Sequence, residues 1–145
     1  MAEVSYNQKL QDFALQCRHY YRMLDYMAEV EERNSGKNLN EDIVIELTPG
    51  AGPKKEVLPL SHDMLAYSLA KKQVEEIEEM FRLITEECGK EAHDVLWNYY
   101  VESEKADQVA NDFAFSVRTL KRRISQWLSP LIDSLIPDSY YETYA

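Results

Sequence analysis

Lys105 to Leu128 reads KADQVANDFAFSVRTLKRRISQWL. Its apolar residues Val109, Phe113, Phe115, Leu120, Ile124 and Leu128 are spaced as two short helices meeting at a tight turn require. Ala110 and Ala114 are small where the helices must approach. This spacing predicts a helix-turn-helix. Its second helix is expected to begin at Ser116, whose hydroxyl can cap the free N–H groups of the first turn. That helix then carries Arg118, Lys121, Arg122 and Arg123, and no acidic residue interrupts Ser116 to Leu128.

Charge sets this stretch apart from its surroundings. The 145-residue chain has 16 Lys+Arg against 26 Asp+Glu, a net −10. Setting aside the four basic residues of Ser116 to Leu128 leaves 12 against 26, or −14 for the rest. A basic helix on an acidic body is an address for a polyanion, and the body repels DNA approaching in any other orientation. Basic helix faces are also ordinary solvated surfaces. What favours the DNA reading is that Ser116, Thr119 and Leu120 together with the basic run match the pattern of a known family and not merely a composition.

The longer run VLWNYYVESEKADQVANDFAFSVRTLKRRISQWL, Val95 to Leu128, resembles region 4 of bacterial sigma-70-type factors. The matching features are a first helix ending in Tyr-Tyr-Val-Glu, a scaffold helix with Val109-Ala110, a turn, and then Ser-x-x-Thr-Leu-Lys-x-Arg-Ile. A short acidic protein with a long helical front half and such a tail is similar to the phage late-gene transcription regulators of the ArpU and RinA type. The motif covers about a quarter of the chain. It departs from the family at Ala114, where Gly is usual, so a left-handed turn there carries strain. The resemblance implies a transcription regulator that activates late genes of a phage or prophage and touches RNA polymerase.

On this reading Val117, Arg118, Lys121 and Arg122 face base edges, where Arg bonds bidentately to guanine. Ser116 and Thr119 suit phosphate at the helix start. Leu120 and Ile124 face the core, and Arg123 is a phosphate contact or a surface residue.

Upstream, Tyr6, Leu10, Phe13, Cys17, Tyr20, Leu24 and Met27 recur in steps of four and three, a heptad seam predicting one helix to about Glu32. Asn34-Ser35-Gly36 marks its end. A second seam, Tyr67, Ala70, Val74, Ile77, Phe81, Ile84 and Cys88, predicts a helix from an N-cap at Ser61 to about Glu87. These two helices suit an antiparallel hairpin within one chain or a coiled-coil bundle between chains, and the latter would give a helix-turn-helix protein its homodimer or higher homo-oligomer. Between them lie three of the four glycines and three of the five prolines. There Ile43 to Leu47 and Glu56-Val57-Leu58 suit either a small β-hairpin or an ordered loop across TPGAGPKK. That loop lacks the Lys-Ser/Thr ending of a phosphate cradle.

Gly89 separates the second seam from a helix over Lys90 to Val101, with Ala92, Val95, Leu96, Tyr99 and Tyr100 inward. Glu102-Ser103-Glu104 is then expected to cap the scaffold helix. Ser129-Pro130 should end or kink the recognition helix, and the acidic, aromatic tail DSYYETYA reads as a mobile end or a docking peptide for a partner.

The expected architecture is therefore all-α, with a helical oligomerisation region at 1–88 (loop or hairpin at 34–60), a three-helix DNA-binding domain at 89–130 and a tail at 131–145. An apolar content of 45% is that of a globular chain. No run approaches a membrane span, and MAEVSYNQKL has neither the basic start nor the greasy core of a signal peptide, so the expectation is a cytoplasmic protein with no membrane contact. Cys17 and Cys88 fall on apolar faces as thiols. His19, His62 and His93 lie on different elements, and Glu75, Glu76, Glu78 and Glu79 sit on a solvated face. No catalytic, metal or cofactor site is expected. The contrasting expectations are an acidic helical adaptor whose basic helix meets a protein partner, and a phage DNA-packaging factor.

Overall fold

Ser5 opens the first helix by accepting a hydrogen bond from the Gln8 N–H at 3.1 Å, which satisfies one of the donors a helix start leaves orphaned. The computed structural model describes residues 4–34 and 54–144. The helices are α1 (Tyr6–Arg18), α2 (Tyr20–Arg33), α3 (Lys54–Cys88), α4 (Lys90–Leu96), α5 (Ala106–Asp112), α6 (Val117–Leu128), α7 (Ile132–Leu135) and α8 (Ser139–Tyr144), with a π-helical turn at Trp97–Val101. The fold is all-α, with no strand among the described residues. No helix among them is long and apolar enough to cross a membrane.

Two compact units result, one of residues 1–20 and 77–145, the other of 21–76. These are not the ranges 1–88, 89–130 and 131–145 expected above. Contacts gather by seam rather than by position in the chain, so the N-terminal helix belongs with the C-terminal elements.

In the first unit the two seams meet antiparallel. Phe13 lies 6.0 Å from Phe81 between ring centroids, and the Tyr20 hydroxyl donates to Glu78 at 2.8 Å. Phe81 is 2% exposed and meets the rings of His93 and Trp97 edge-on at 5.5 and 5.0 Å. Tyr100 closes on Phe13 at 5.3 Å. The π-helical turn makes this geometry. The Glu102 N–H reaches back five residues to the Trp97 carbonyl at 2.9 Å, and the extra residue in that turn rotates the aromatic side chains relative to a regular helix.

In the second unit, Val30, Met64 and Tyr67 form a core with Tyr26 and Met27 against it. The Tyr67 hydroxyl donates to Glu31 at 2.7 Å, and Asn34 donates to Asp63 at 2.9 Å and to the Val30 carbonyl at 2.9 Å. These pairings again run antiparallel, so seam residues of α2 and α3 meet within one chain.

Several local expectations need correction. The seam from Tyr6 is not one helix: the His19 N–H bonds the Gln16 carbonyl at 3.1 Å, a tightened turn that separates α1 from α2. Ser61 does not cap α3, which starts at Lys54 and includes Glu56 to Leu58, so these residues form no strand. Ile43 to Leu47 and most of the intervening loop lie outside the described residues. Glu102-Ser103-Glu104 does not cap α5. Its N-cap is Lys105, whose ammonium has no acceptor to offer the first-turn N–H groups, and Ser103 turns the chain at φ 58°.

The tail is docked rather than free. Lys9, only 2% exposed, sends its ammonium to Asp133 and Asp138, 2.9 Å from each. The Tyr141 hydroxyl donates to Asp12. The hydrogen bond to Asp133, then that to Asp138, hold the Lys9 ammonium above its ordinary value of 10.5. A raised lysine contributes stability that is fully present below that value and is lost as pH rises through the folded one. We therefore expect wild type to lose more stability between neutral pH and about pH 11 than the Asp133→Asn/Asp138→Asn variant does, as read by urea unfolding. Equal losses would show that the two bonds do not stabilise the charged form.

Candidate nucleic-acid interface

The turn between α5 and α6 is built by backbone hydrogen bonds. The Phe115 N–H reaches the Ala110 carbonyl at 2.7 Å and the Ala114 N–H reaches Asn111 at 3.2 Å. This paired closure is a Schellman motif, which puts its central residue in the left-handed region. Ala114 has φ 60° there, so the strain anticipated from its identity is present. A left-handed L-residue costs roughly 1–2 kcal/mol, part of which glycine returns to the flexible unfolded chain. Ala114→Gly is expected to stabilise the protein by about 1 kcal/mol in denaturant unfolding. A loss of stability would mean that the Ala114 methyl makes contacts outweighing the backbone strain.

Ser116 then caps α6: its hydroxyl accepts from the Thr119 N–H at 3.0 Å and donates to Thr119 Oγ1 at 2.9 Å. Leu120, Ile124 and Leu128 recur every fourth residue and are buried. Their burial turns the other side of the helix outward. Arg118, Lys121 and Arg122 are exposed there, at spacings of three and four that put them on one face. None of the three has an ion pair among the described residues. Val117 and Ser116 are exposed beside them, and Thr119 is half-buried.

Arg123 is separate from this face. Its guanidinium lies 5.3 Å above the Phe115 ring centroid and 3.7 Å from Glu91 of α4. Neither partner belongs to the expected set; Glu91 comes from α4, which only packing brings to α6, and Phe115 from the turn that immediately precedes α6. Ser125 is exposed and continues the face of Arg118, Lys121 and Arg122 by one more turn.

Three attachments hold α6 in place. Phe115 anchors its start, the apolar row its middle, and at its end the Cys88 thiol donates to the Trp127 carbonyl at 3.7 Å. Both cysteines are free thiols. Burial pushes the Cys17 thiol well above its ordinary range, and partial burial raises Cys88 as well, so neither is a poised thiolate. The exposed face of α5 offers no added attraction for phosphate, since Asp107, Gln108, Asn111 and Asp112 line it.

No family model, curated protein or solved structure matches this chain.

Proposed function

We propose that this protein is a sequence-specific DNA-binding transcription regulator that reads duplex DNA with α6. The observation that carries this is the row Arg118, Lys121 and Arg122, exposed and without intramolecular ion pairs among the described residues, on a helix whose opposite face is buried. Three uncommitted cations held on one rigid face of a chain with net charge −10 suit a polyanion that must arrive in one orientation. A helix-turn-helix places such a helix in the major groove, where Arg118 and Arg122 reach base edges. Ser116 and Thr119 lie at its start, beside the phosphates.

Activation of phage or prophage late genes and contact with RNA polymerase follow from the sigma-region-4 and ArpU/RinA resemblance, and action as a homodimer or higher homo-oligomer from the paired half-sites that helix-turn-helix proteins read; all belong to the same proposal. Ile77 is 2% exposed within the single chain, so dimerisation would use a surface other than this seam residue.

A binding titration against DNA from the protein's own genomic neighbourhood, at several salt concentrations and with scrambled competitor, tests the proposal. Each phosphate contact is expected to contribute about −0.9 to the slope of log affinity against log salt. Failure to retain any fragment at low salt would overturn the DNA reading in favour of an acidic adaptor whose basic helix meets a protein.

A further inference from the structure

We infer that Arg123 is a positioning residue of the recognition helix rather than a DNA contact, an inference that rests on the DNA-binding reading of α6. One guanidinium joins three elements. It belongs to the middle of α6, stacks over Phe115 in the preceding turn at 5.3 Å, and meets Glu91 in the first turn of α4 at 3.7 Å. Phe115 is itself fixed by its N–H bond to Ala110. The backbone that carries the ring is thus part of the turn's hydrogen-bonded frame.

The basic run Lys121-Arg122-Arg123 therefore divides by function. Lys121 and Arg122 lie within about 60° of Arg118 around the helix, whereas Arg123 lies about 140° from it. Its side chain is 42% exposed and that of Glu91 is 56% exposed. Paired, the two charges cancel on the flank of α6. If Arg123 instead swung to a phosphate, it would leave the Glu91 carboxylate unneutralised beside the duplex. The buried row Leu120, Ile124 and Leu128 sets the roll of α6, and the Phe115 stack and the Glu91 pair tether its outer flank to the turn and to α4, limiting departures from the direction in which Arg118, Lys121 and Arg122 point.

The test uses the full chain with Arg123→Ala, Glu91→Gln and Phe115→Leu, each compared with wild type in circular dichroism. Duplexes recovered by the wild-type protein from a random-sequence pool and a scrambled duplex are titrated across salt concentrations. All three substitutions are expected to weaken binding to the recovered duplexes about three- to tenfold, the scale of one partly exposed cation–π contact and one surface ion pair. Affinity for the scrambled duplex and the salt slope stay at their wild-type values.

A phosphate contact behaves in the opposite way. Arg123→Ala would then weaken both duplexes alike and cut the salt slope by about 1, and Glu91→Gln would strengthen binding by removing a carboxylate from the DNA; either result overturns the inference. If wild type recovers no duplex, the DNA reading itself fails, and the fastening is judged by amide exchange at Leu120–Ile124. Equal, non-additive acceleration in Arg123→Ala, Glu91→Gln and the double variant upholds it. Unchanged exchange overturns it.

Discussion

Replacing Arg118 and Arg122 together with alanine is expected to abolish specific DNA binding while leaving helical content and the unfolding midpoint unchanged. Both side chains are exposed on α6, four residues apart, and neither has an ion pair among the described residues whose loss would disturb the fold. Alanine is at least as good a helix former as arginine, so α6 is preserved. A bidentate arginine–guanine pair discriminates by about 1–3 kcal/mol, so losing two removes about 2–6 kcal/mol. Since each 1.4 kcal/mol is a factor of about ten, affinity for the recognised site should fall to the scrambled-duplex level. The measurement is a titration of both proteins on one duplex, with circular dichroism melts alongside. Wild-type affinity in the double variant would remove α6 as the reading helix.

Phe81→Ala is expected to produce the largest loss of stability, about 3–5 kcal/mol. Phe81 is 2% exposed and touches three rings, those of Phe13, His93 and Trp97. Truncation removes apolar burial, leaves a cavity, and forfeits aromatic pair contacts worth about 0.5–1.5 kcal/mol each beyond area. Domains of ordinary stability hold only about 5–15 kcal/mol, so a large fraction is at stake. Denaturant unfolding followed by far-ultraviolet dichroism reads the change, because the helices of the fold supply that signal in both proteins. A loss below about 1 kcal/mol would mean that neighbouring side chains refill the space and that this cluster does not hold the first unit together.

The two effects are separable. Under the proposed function, Arg118 and Arg122 are expected to act on affinity with the fold intact, whereas Phe81 is expected to act on the fold that carries them. A variant set showing the opposite assignment would place the DNA face elsewhere. Arg123 stands between these cases, since it faces outward yet is tied to Phe115 and Glu91.

Much of this architecture is legible in local spacing. The residues Tyr67, Ala70, Val74, Ile77, Phe81 and Ile84 are buried as their three-and-four steps require. Ser116 caps α6, Gly89 at φ 97° separates α3 from α4, and Ala114 adopts the left-handed turn. Each depends on a residue's own backbone preference or its neighbours within one turn. The outward face of Arg118, Lys121 and Arg122 follows from the burial period of Leu120, Ile124 and Leu128, and is equally local.

What tertiary structure alone decided involves partners distant in the chain. The heptad steps through Tyr20 continue across His19, so periodicity cannot show that α1 and α2 are separate helices in separate units. The choice between a hairpin within one chain and a bundle between chains is open in the seams, because both bury the same residues. The pairings of Phe13 with Phe81 and of Tyr67 with Glu31 are made within one chain. Lys9 reads as a solvated lysine until Asp133 and Asp138 arrive from the far end of the sequence. Arg123 is likewise indistinguishable from Arg122 by composition. Only the approach of α4 and the turn at Phe115 separates them, because a side chain's charge is set by its identity but its commitment is set by what the fold brings within reach.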